Sequence, residues 1–426
     1  MKYPVFEQTK IKNSRFFISP LKNAHSSFVS LNFKLGNFFE TKKTAGYSHF
    51  LEHIVFKGSQ HYPSEQKIGE AIEKYGGSIN AYTAEENVSF FITSPASAIE
   101  KTLPLLFDIV FRPTAIKKEE EIEKEKKVIL EEIKWAKDDP DTYISEKTYS
   151  LLNPHHPISL PIEGTEESLE DLNSKIIIKW WERFISPSNL TINFGGYIPD
   201  KLKEKIEKLL PEKGSIKIKG RPIYKSPRQP RMKIFKRKLN QIKIKLLFDS
   251  DSLSLKEKIY LSLISRILGK GLNSILFKEL RSESGLCYDV HALSETFKDF
   301  AVFDISTGVS QEKLEEALDK IMVILNKVKK GFSKKEIENA KMAAKGEIEI
   351  SSDKPSFIAN FPLYLEMSLG KIISIKELFG IISEANFSNL KALSRKVFNT
   401  KNLTLGILGN LKDDKILKKA INKLKD

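Results

Sequence analysis

Two rhythms of apolar residues run along the chain. SSFVSLNFKLG, from Ser26, sets apolar and polar residues alternately, the period of a strand with one buried face. NAYTAEENVSFFITS, from Asn80, and AVFDISTGV, from Ala301, predict further extended segments. SEQKIGEAIEKYGG opens on Ser64 as a helix cap, repeats at helical spacing and stops at two glycines. Residues 118–137, KEEEIEKEKKVILEEIKWAK, predict a long helix broken by DDPD, with Val128, Ile129 and Ile133 on its buried side. LKEKIYLSLISRILGKG and QEKLEEALDKIMVILNKVKKGF predict helices in the second half. Strands flanked by long helices imply an α+β fold, an antiparallel-rich sheet backed by helices in each of two domains.

The pattern is doubled. SNLTINFGGYIPDKLKEKIEKLL, from Ser188, and KNLTLGILGNLKDDKILKKAINKL, from Lys401, share Asn-Leu-Thr, a β-prone run, a glycine turn and a lysine-rich amphipathic helix. Asn189 and Asn402 stand 213 residues apart, half the chain of 426. Duplication gives domains at 1–212 and 232–426, joined by a Pro-, Gly- and Lys-rich linker at 213–231.

Composition adds limits. With 40% hydrophobic and 29% charged residues the chain reads as globular, and no run is long and apolar enough to span a membrane. The single cysteine, Cys287, and a start without a secretory pattern give a cytoplasmic expectation. The net charge of +15 is uneven: residues 1–213 carry 29 Lys+Arg against 31 Asp+Glu, leaving the excess to the second half. A solvated lysine-rich surface explains this without nucleic acid, since no RNA-binding signature or glycine-rich phosphate loop accompanies it.

Chemistry concentrates in SHFLEHIVFKGS, from Ser48. Residues four apart share a helix face, so His49 and His53 can hold one ion, with Glu52 beside them. Imidazoles suit Zn²⁺, and H-x-x-E-H is the inverse of the commoner zinc-protease order. A third ligand must be a carboxylate. Glu125 and Glu132, seven apart on the long helix, share a face, and Glu131 is close by; spacing does not choose among them.

HFLEH, GGSINAYTAEENVSFF and EKKVILEEI together resemble the pitrilysin/insulinase family of zinc peptidases, in particular the short branch similar to mitochondrial processing peptidase. LGKGLNSILFKELRSESGLCYDV, from Leu268, carries the resemblance into the second half. The resemblance implies one Zn²⁺ per chain on His49, His53 and Glu132, with Glu125 supporting from behind and Glu52 as general base. It assigns substrate contacts to Arg281 and Tyr288, Tyr288 also steadying the oxyanion, and places Asn80 and Ala81 on an edge strand that takes the peptide as an added strand. Four such α+β units enclose a chamber in that family. A two-unit chain therefore implies a homodimer, with Arg281 and Tyr288 acting on the other chain's zinc, and no membrane partner. A basic half lining such a chamber would favour acidic or mixed peptides. The expected function is a zinc endopeptidase acting on peptides or unstructured segments; the alternative is a non-hydrolytic or partner-dependent peptide-binding subunit.

Overall fold

The computed structural model of the chain describes residues 5–212, 218–411 and 414–425, so the first part of the expected linker, 213–217, lies outside the described residues. The described chain forms two compact α+β units, each built on one sheet.

The first sheet comprises β1 (Glu7–Ile11), β2 (Ser14–Pro20), β3 (Ser26–Phe33), β4 (Ser78–Thr83), β5 (Val88–Pro95) and β6 (Leu190–Gly196), in the order β1-β2-β6-β3-β5-β4. The second comprises β7 (Arg231–Phe235), β8 (Ile242–Ser250), β9 (Cys287–Thr296), β10 (Ala301–Val309) and β11 (Leu403–Leu408), in the order β7-β11-β8-β10-β9. Only β2 with β6 and β7 with β11 pair in parallel; the other pairs are antiparallel. The two sheets repeat one pattern, β6 and β11 each lying between a parallel and an antiparallel neighbour, with β1 an extra strand on the first. The 213-residue offset holds in atomic detail. Asn189 Nδ2 donates to Phe184 O at 2.9 Å, and Asn402 Nδ2 donates to Val397 O at 3.0 Å, each satisfying a carbonyl left open at a helix end.

The run from Asn80 to Ser94 is two strands rather than one. Apolar alternation persists through it, but Ala84 N donates to Asn87 O at 2.8 Å and turns the chain, making β4 and β5 a hairpin. Gly36 permits the turn's position, since a Cβ there would stand 2.1 Å from Ala84 O. In the first unit α1 (Tyr47–Ile54), α2 (Glu65–Glu73) and α4 (Glu119–Asp138) follow the expected helices, α3 (Ile99–Phe111) is an additional one, and one core joins the sheet to Phe50, Leu51 and Ile54 of α1 and Ile122, Ile129 and Ile133 of α4. Val128 departs from expectation: it is 44% exposed, because it lies on the Glu132 side of α4, away from that isoleucine stripe.

Packing divides the chain differently from a cut along the sequence. The first unit contains the chain up to Trp135, Leu160–Pro222 and Glu349–Tyr364; the second contains Ala136–Ser159, Ile223–Ile348 and the chain from Leu365. Each half thus lends a helical segment to the other's unit. In the first, Ser30 Oγ and Asn193 Nδ2 donate to Asn360 Oδ1 at 2.8 and 3.0 Å, and the bare backbone of Gly195 lets Pro355 and Ala359 close on β6. In the second, α5 (Pro140–Leu152) lies on β11, where a Cβ at Gly406 would stand 2.1 Å from Thr148 Oγ1. Gly406→Ala is therefore expected to cost about 2 kcal/mol. Combined with Thr148→Ala, it should recover about 1 kcal/mol through coupling between touching sites. Urea unfolding of the four-protein cycle checks this, and strict additivity would count against the contact.

Candidate metal centre

α1 begins at a forced turn. Gly46 sits at φ 84°, and a Cβ there would stand 2.5 Å from Glu163 O. No cap residue serves the helix start; Glu40, from the preceding loop, reaches under it instead. Its Oε2 accepts from Gly46 N at 2.9 Å and its Oε1 from Ser48 N at 2.7 Å, replacing bonds that a helix N-terminus lacks. Burial pushes the Glu40 carboxyl up to about 7, against the hydrogen bonds it accepts from Ser48 and Gly46.

With Phe50, Leu51 and Ile54 in the core, helical geometry turns His49 and His53 to the opposite side, ring centroids 4.5 Å apart. α4 presents Glu125 and Glu132 to them. Glu132 Oε2 lies 3.8 Å from His49 Nε2 and 3.7 Å from His53 Nε2. The ligand atoms of His49, His53 and Glu132 fall within 4.8 Å of one another, forming the one group of this kind among the described residues. Glu131, the neighbour that spacing left open, turns to solvent and pairs with Lys134 at 2.7 Å.

Glu125 stands behind this group, its side chain 3% exposed. Its Oε1 meets His53 Nδ1 at 2.8 Å and its Oε2 meets Lys57 Nζ at 3.2 Å. Burial opposes its charge, but the bond from His53 and the Lys57 ammonium hold its carboxyl below the usual range. A proton on His53 Nδ1 directed at Glu125 leaves Nε2 unprotonated, its lone pair open to a metal on the side where Glu132 stands. Burial and the neighbouring His53 push His49 down to about 3, so its imidazole is neutral, the form that ligates metal. Two imidazole nitrogens and one carboxylate oxygen, with a position left open, are a donor set that zinc accepts.

Glu52 lies on the same helix, and its Oε2 accepts from Thr83 Oγ1 at 2.6 Å. Asn80 shares a groove with Glu52 and His53, while Ala81, next on β4, gives its N–H to Asn80 Oδ1 at 2.8 Å. Arg281 and Tyr288 belong to the second unit, where the Arg281 guanidinium lies 4.9 Å from the Tyr288 ring centroid and 4.7 Å from that of Phe277. Tyr288 is 73% exposed. The linear pattern does not single out Glu40, Lys57 or Thr83. Lys57 had a usable signal, lying one turn beyond His53, and Thr83 stood in a segment read only as strand. Nothing local marks Glu40.

Among the described residues, the duplicated half holds no such group. Counted 213 residues on along the sequence, His49, Glu52, His53 and Lys57 fall on Ser262, Ser265, Arg266 and Lys270. There Arg266 and Lys270 grip Glu347, at 3.2 and 2.8 Å, and hold its carboxyl down at about 2.

Residues 16–166 match the family model described as Insulinase (Peptidase family M16), and residues 171–344 match the one described as Peptidase M16 inactive domain. The chain belongs to the insulinase-like M16 peptidase family. It is a short, two-domain M16 member. Among its relatives, the uncharacterized zinc protease YmxG of Bacillus subtilis is 28% identical over 88% of this chain and 90% of its own length. A zinc protease of Rickettsia felis is 27% identical over 93% and 95%. The crystal structure of a protease from Helicobacter pylori superposes with a TM-score of 0.88 at 21% identity, covering 96% of this chain and all of that one, which shows a shared fold. No described helix is long and apolar enough to cross a membrane.

Two outcomes follow from the centre's supports. Glu125→Gln should weaken zinc binding about 10- to 100-fold through loss of His53 orientation, read by competition with a chromophoric chelator; unchanged affinity would remove Glu125 from the centre. For Glu40, the folded-state pKa of about 7 exceeds the ordinary value of 4.5, so between those values the folded chain holds a proton that the unfolded chain lacks. Stability must then fall as pH rises through that window, by about 3 kcal/mol at most. Urea unfolding at pH 5 and pH 8 should show this loss in the native protein and not in Glu40→Gln.

Proposed function

We propose that the chain is a zinc-dependent endopeptidase that cleaves peptides or unstructured segments bound in extended form. The observation that carries the reading is the convergence of His49, His53 and Glu132 ligand atoms within 4.8 Å, with Glu52 on the same helix beside them. Its relatives in Bacillus subtilis and Rickettsia felis bear the name zinc protease. His49, His53 and Glu132 would hold one zinc per chain, which when bound supplies Lewis acidity toward water and the scissile carbonyl.

The chain's own groups carry the proton and the substrate. Glu52 accepts the proton from water as its oxygen attacks the peptide carbonyl carbon, and returns it to the amine nitrogen as the C–N bond breaks. Thr83, bonded to one Glu52 oxygen, holds the carboxylate while leaving the other free. Strand β4 ends its sheet with one edge unpaired, and a peptide added there exchanges backbone bonds with Ala81, displacing the Asn80 side chain from its N–H, with Asn80 and Ala81 nearest the scissile bond. Backbone pairing is indifferent to most side chains, so the substrate range is broad.

Arg281 and Tyr288 complete the reading. In a homodimer, these residues of one chain serve the zinc site of the other, Arg281 binding substrate carbonyls and Tyr288 donating to the developing oxyanion. The exposure of Tyr288 and its pairing with Arg281 support an outward-directed role.

Glu52→Gln should lower peptide hydrolysis about 10²- to 10⁴-fold while zinc content and folding stay native; undiminished turnover sinks the mechanism. Mixing Glu52→Gln with Arg281→Ala/Tyr288→Phe under subunit exchange should restore hydrolysis by pairing one intact half-site of each kind. No recovery despite demonstrated exchange overturns the shared site, and a native homodimer that binds zinc and peptide without cleavage favours the binding-subunit alternative.

A further inference from the structure

Beside Glu52 and His53 lies a groove of about 690 Å³, bounded by α2 and the start of β4. Its floor is apolar, formed by Phe56, Ile68 and Ile79. Its wall is the outward face of α2, with Gly69 at the centre and Glu65, Glu70 and Glu73 around it. The steps proposed above make no use of α2.

Gly69 is unexplained by folding. It sits within a regular helix, where glycine costs about 1 kcal/mol relative to alanine. Its backbone is not left-handed, and no neighbour crowds it: an added Cβ would meet only the Glu73 carboxyl group, Oε1 at 3.6 Å and Cδ at 3.9 Å. The missing side chain leaves the groove open at its middle, and the Glu73 carboxylate, one turn on, leans over the gap. Five glutamates and one lysine line the groove. That lysine, Lys57, is already held between Glu65 at 2.9 Å and Glu125 at 3.2 Å. Glu70 pairs with Lys67 outside the groove at 2.6 Å, whereas Glu73 has no ion-pair partner among the described residues.

We propose that this groove receives the substrate side chain next to the scissile bond, that Gly69 sets its depth, and that Glu70 and Glu73 select a lysine or arginine there. The inference rests on the peptidase reading and narrows its substrate class. An apolar floor beneath a carboxylate rim fits an aliphatic stem with a cationic head. A neutral side chain of equal length fills the floor but leaves the rim unpaired, and an acidic one is repelled. This local charge is opposite to the chain's net +15, so total composition does not predict the preference.

The zinc-loaded full-length protein is assayed on quenched peptides identical except at one position, bearing lysine, norleucine, alanine or glutamate, with the cleaved bond located by mass spectrometry. The native enzyme is expected to favour lysine over norleucine, and norleucine over alanine, at least tenfold each in kcat/KM, with glutamate poorest. Gly69→Leu fills the groove from its wall and should cut the norleucine-to-alanine ratio at least tenfold; Gly69→Ala, which helix propensity favours, should give an intermediate ratio if the larger side chain is not tolerated. Glu70→Gln/Glu73→Gln should cut the lysine-to-norleucine ratio at least fivefold and leave norleucine-to-alanine as it was. Native preferences absent, or unmoved in folded variants, overturn the groove assignment while the peptidase reading stands. A native protein with zinc bound that cleaves none of the peptides overturns the peptidase reading itself.

Discussion

A carboxylate buried as fully as Glu125 is stable only where donors meet its oxygens. His53 Nδ1 and Lys57 Nζ supply them, one from α1 and the other from just beyond it. Because the carboxylate belongs to α4, satisfying it fixes the register of α4 against α1. Glu132 follows seven residues later on the same face, so its distance from both imidazoles is set by that buried pairing rather than by any bond of its own. The hydrophobic core holds the same two helices from the other side, through Phe50, Leu51 and Ile54 and through Ile122, Ile129 and Ile133. Packing brings the helices together, and one satisfied charge decides which residues face each other.

Duplication explains why a single chain shows this arrangement once. Both halves keep the strand order, the parallel pair at β2–β6 and β7–β11, and the asparagine that closes a helix end. They differ where chemistry is at stake. Arg266 and Lys270 bonded to Glu347 hold helices together by charge, a stable solution that offers no lone pair to a metal. The imidazole half joins its helices through His53, Lys57 and the buried Glu125, and keeps imidazole nitrogens for a metal. Separating the two tasks leaves the second unit free to display Arg281 and Tyr288 on its surface.

Much of the fold was legible because its signals are local. Alternation marked β3 and β10, and the Ser64 cap, the glycine stops and DDPD bounded helices that form where they were expected. The hairpin in residues 80–94 was not, because apolar alternation runs on both sides of a turn whose bond joins Ala84 to Asn87 through backbone atoms alone. Hydrophobicity alone points Val128 to the core, though its angular position on α4 places it with Glu132. In the site, the helical period put His49 and His53 on one face. Glu40 and Thr83 escaped notice because nothing in their own segments distinguishes a buried acceptor or a positioning hydroxyl from ordinary loop and strand residues.

The sequence by itself determined the helix that carries both histidines and the doubled α+β plan. Each follows from spacing along one segment or from comparison of two segments, which the linear order preserves. Tertiary structure decided which of the nearby glutamates meets the imidazoles, since residues 131 and 132 differ only in angle around a helix whose facing was unknown. It also decided the exchange of helical segments between the two units and the acidic groove over Gly69, because both depend on surfaces brought together from distant parts of the chain.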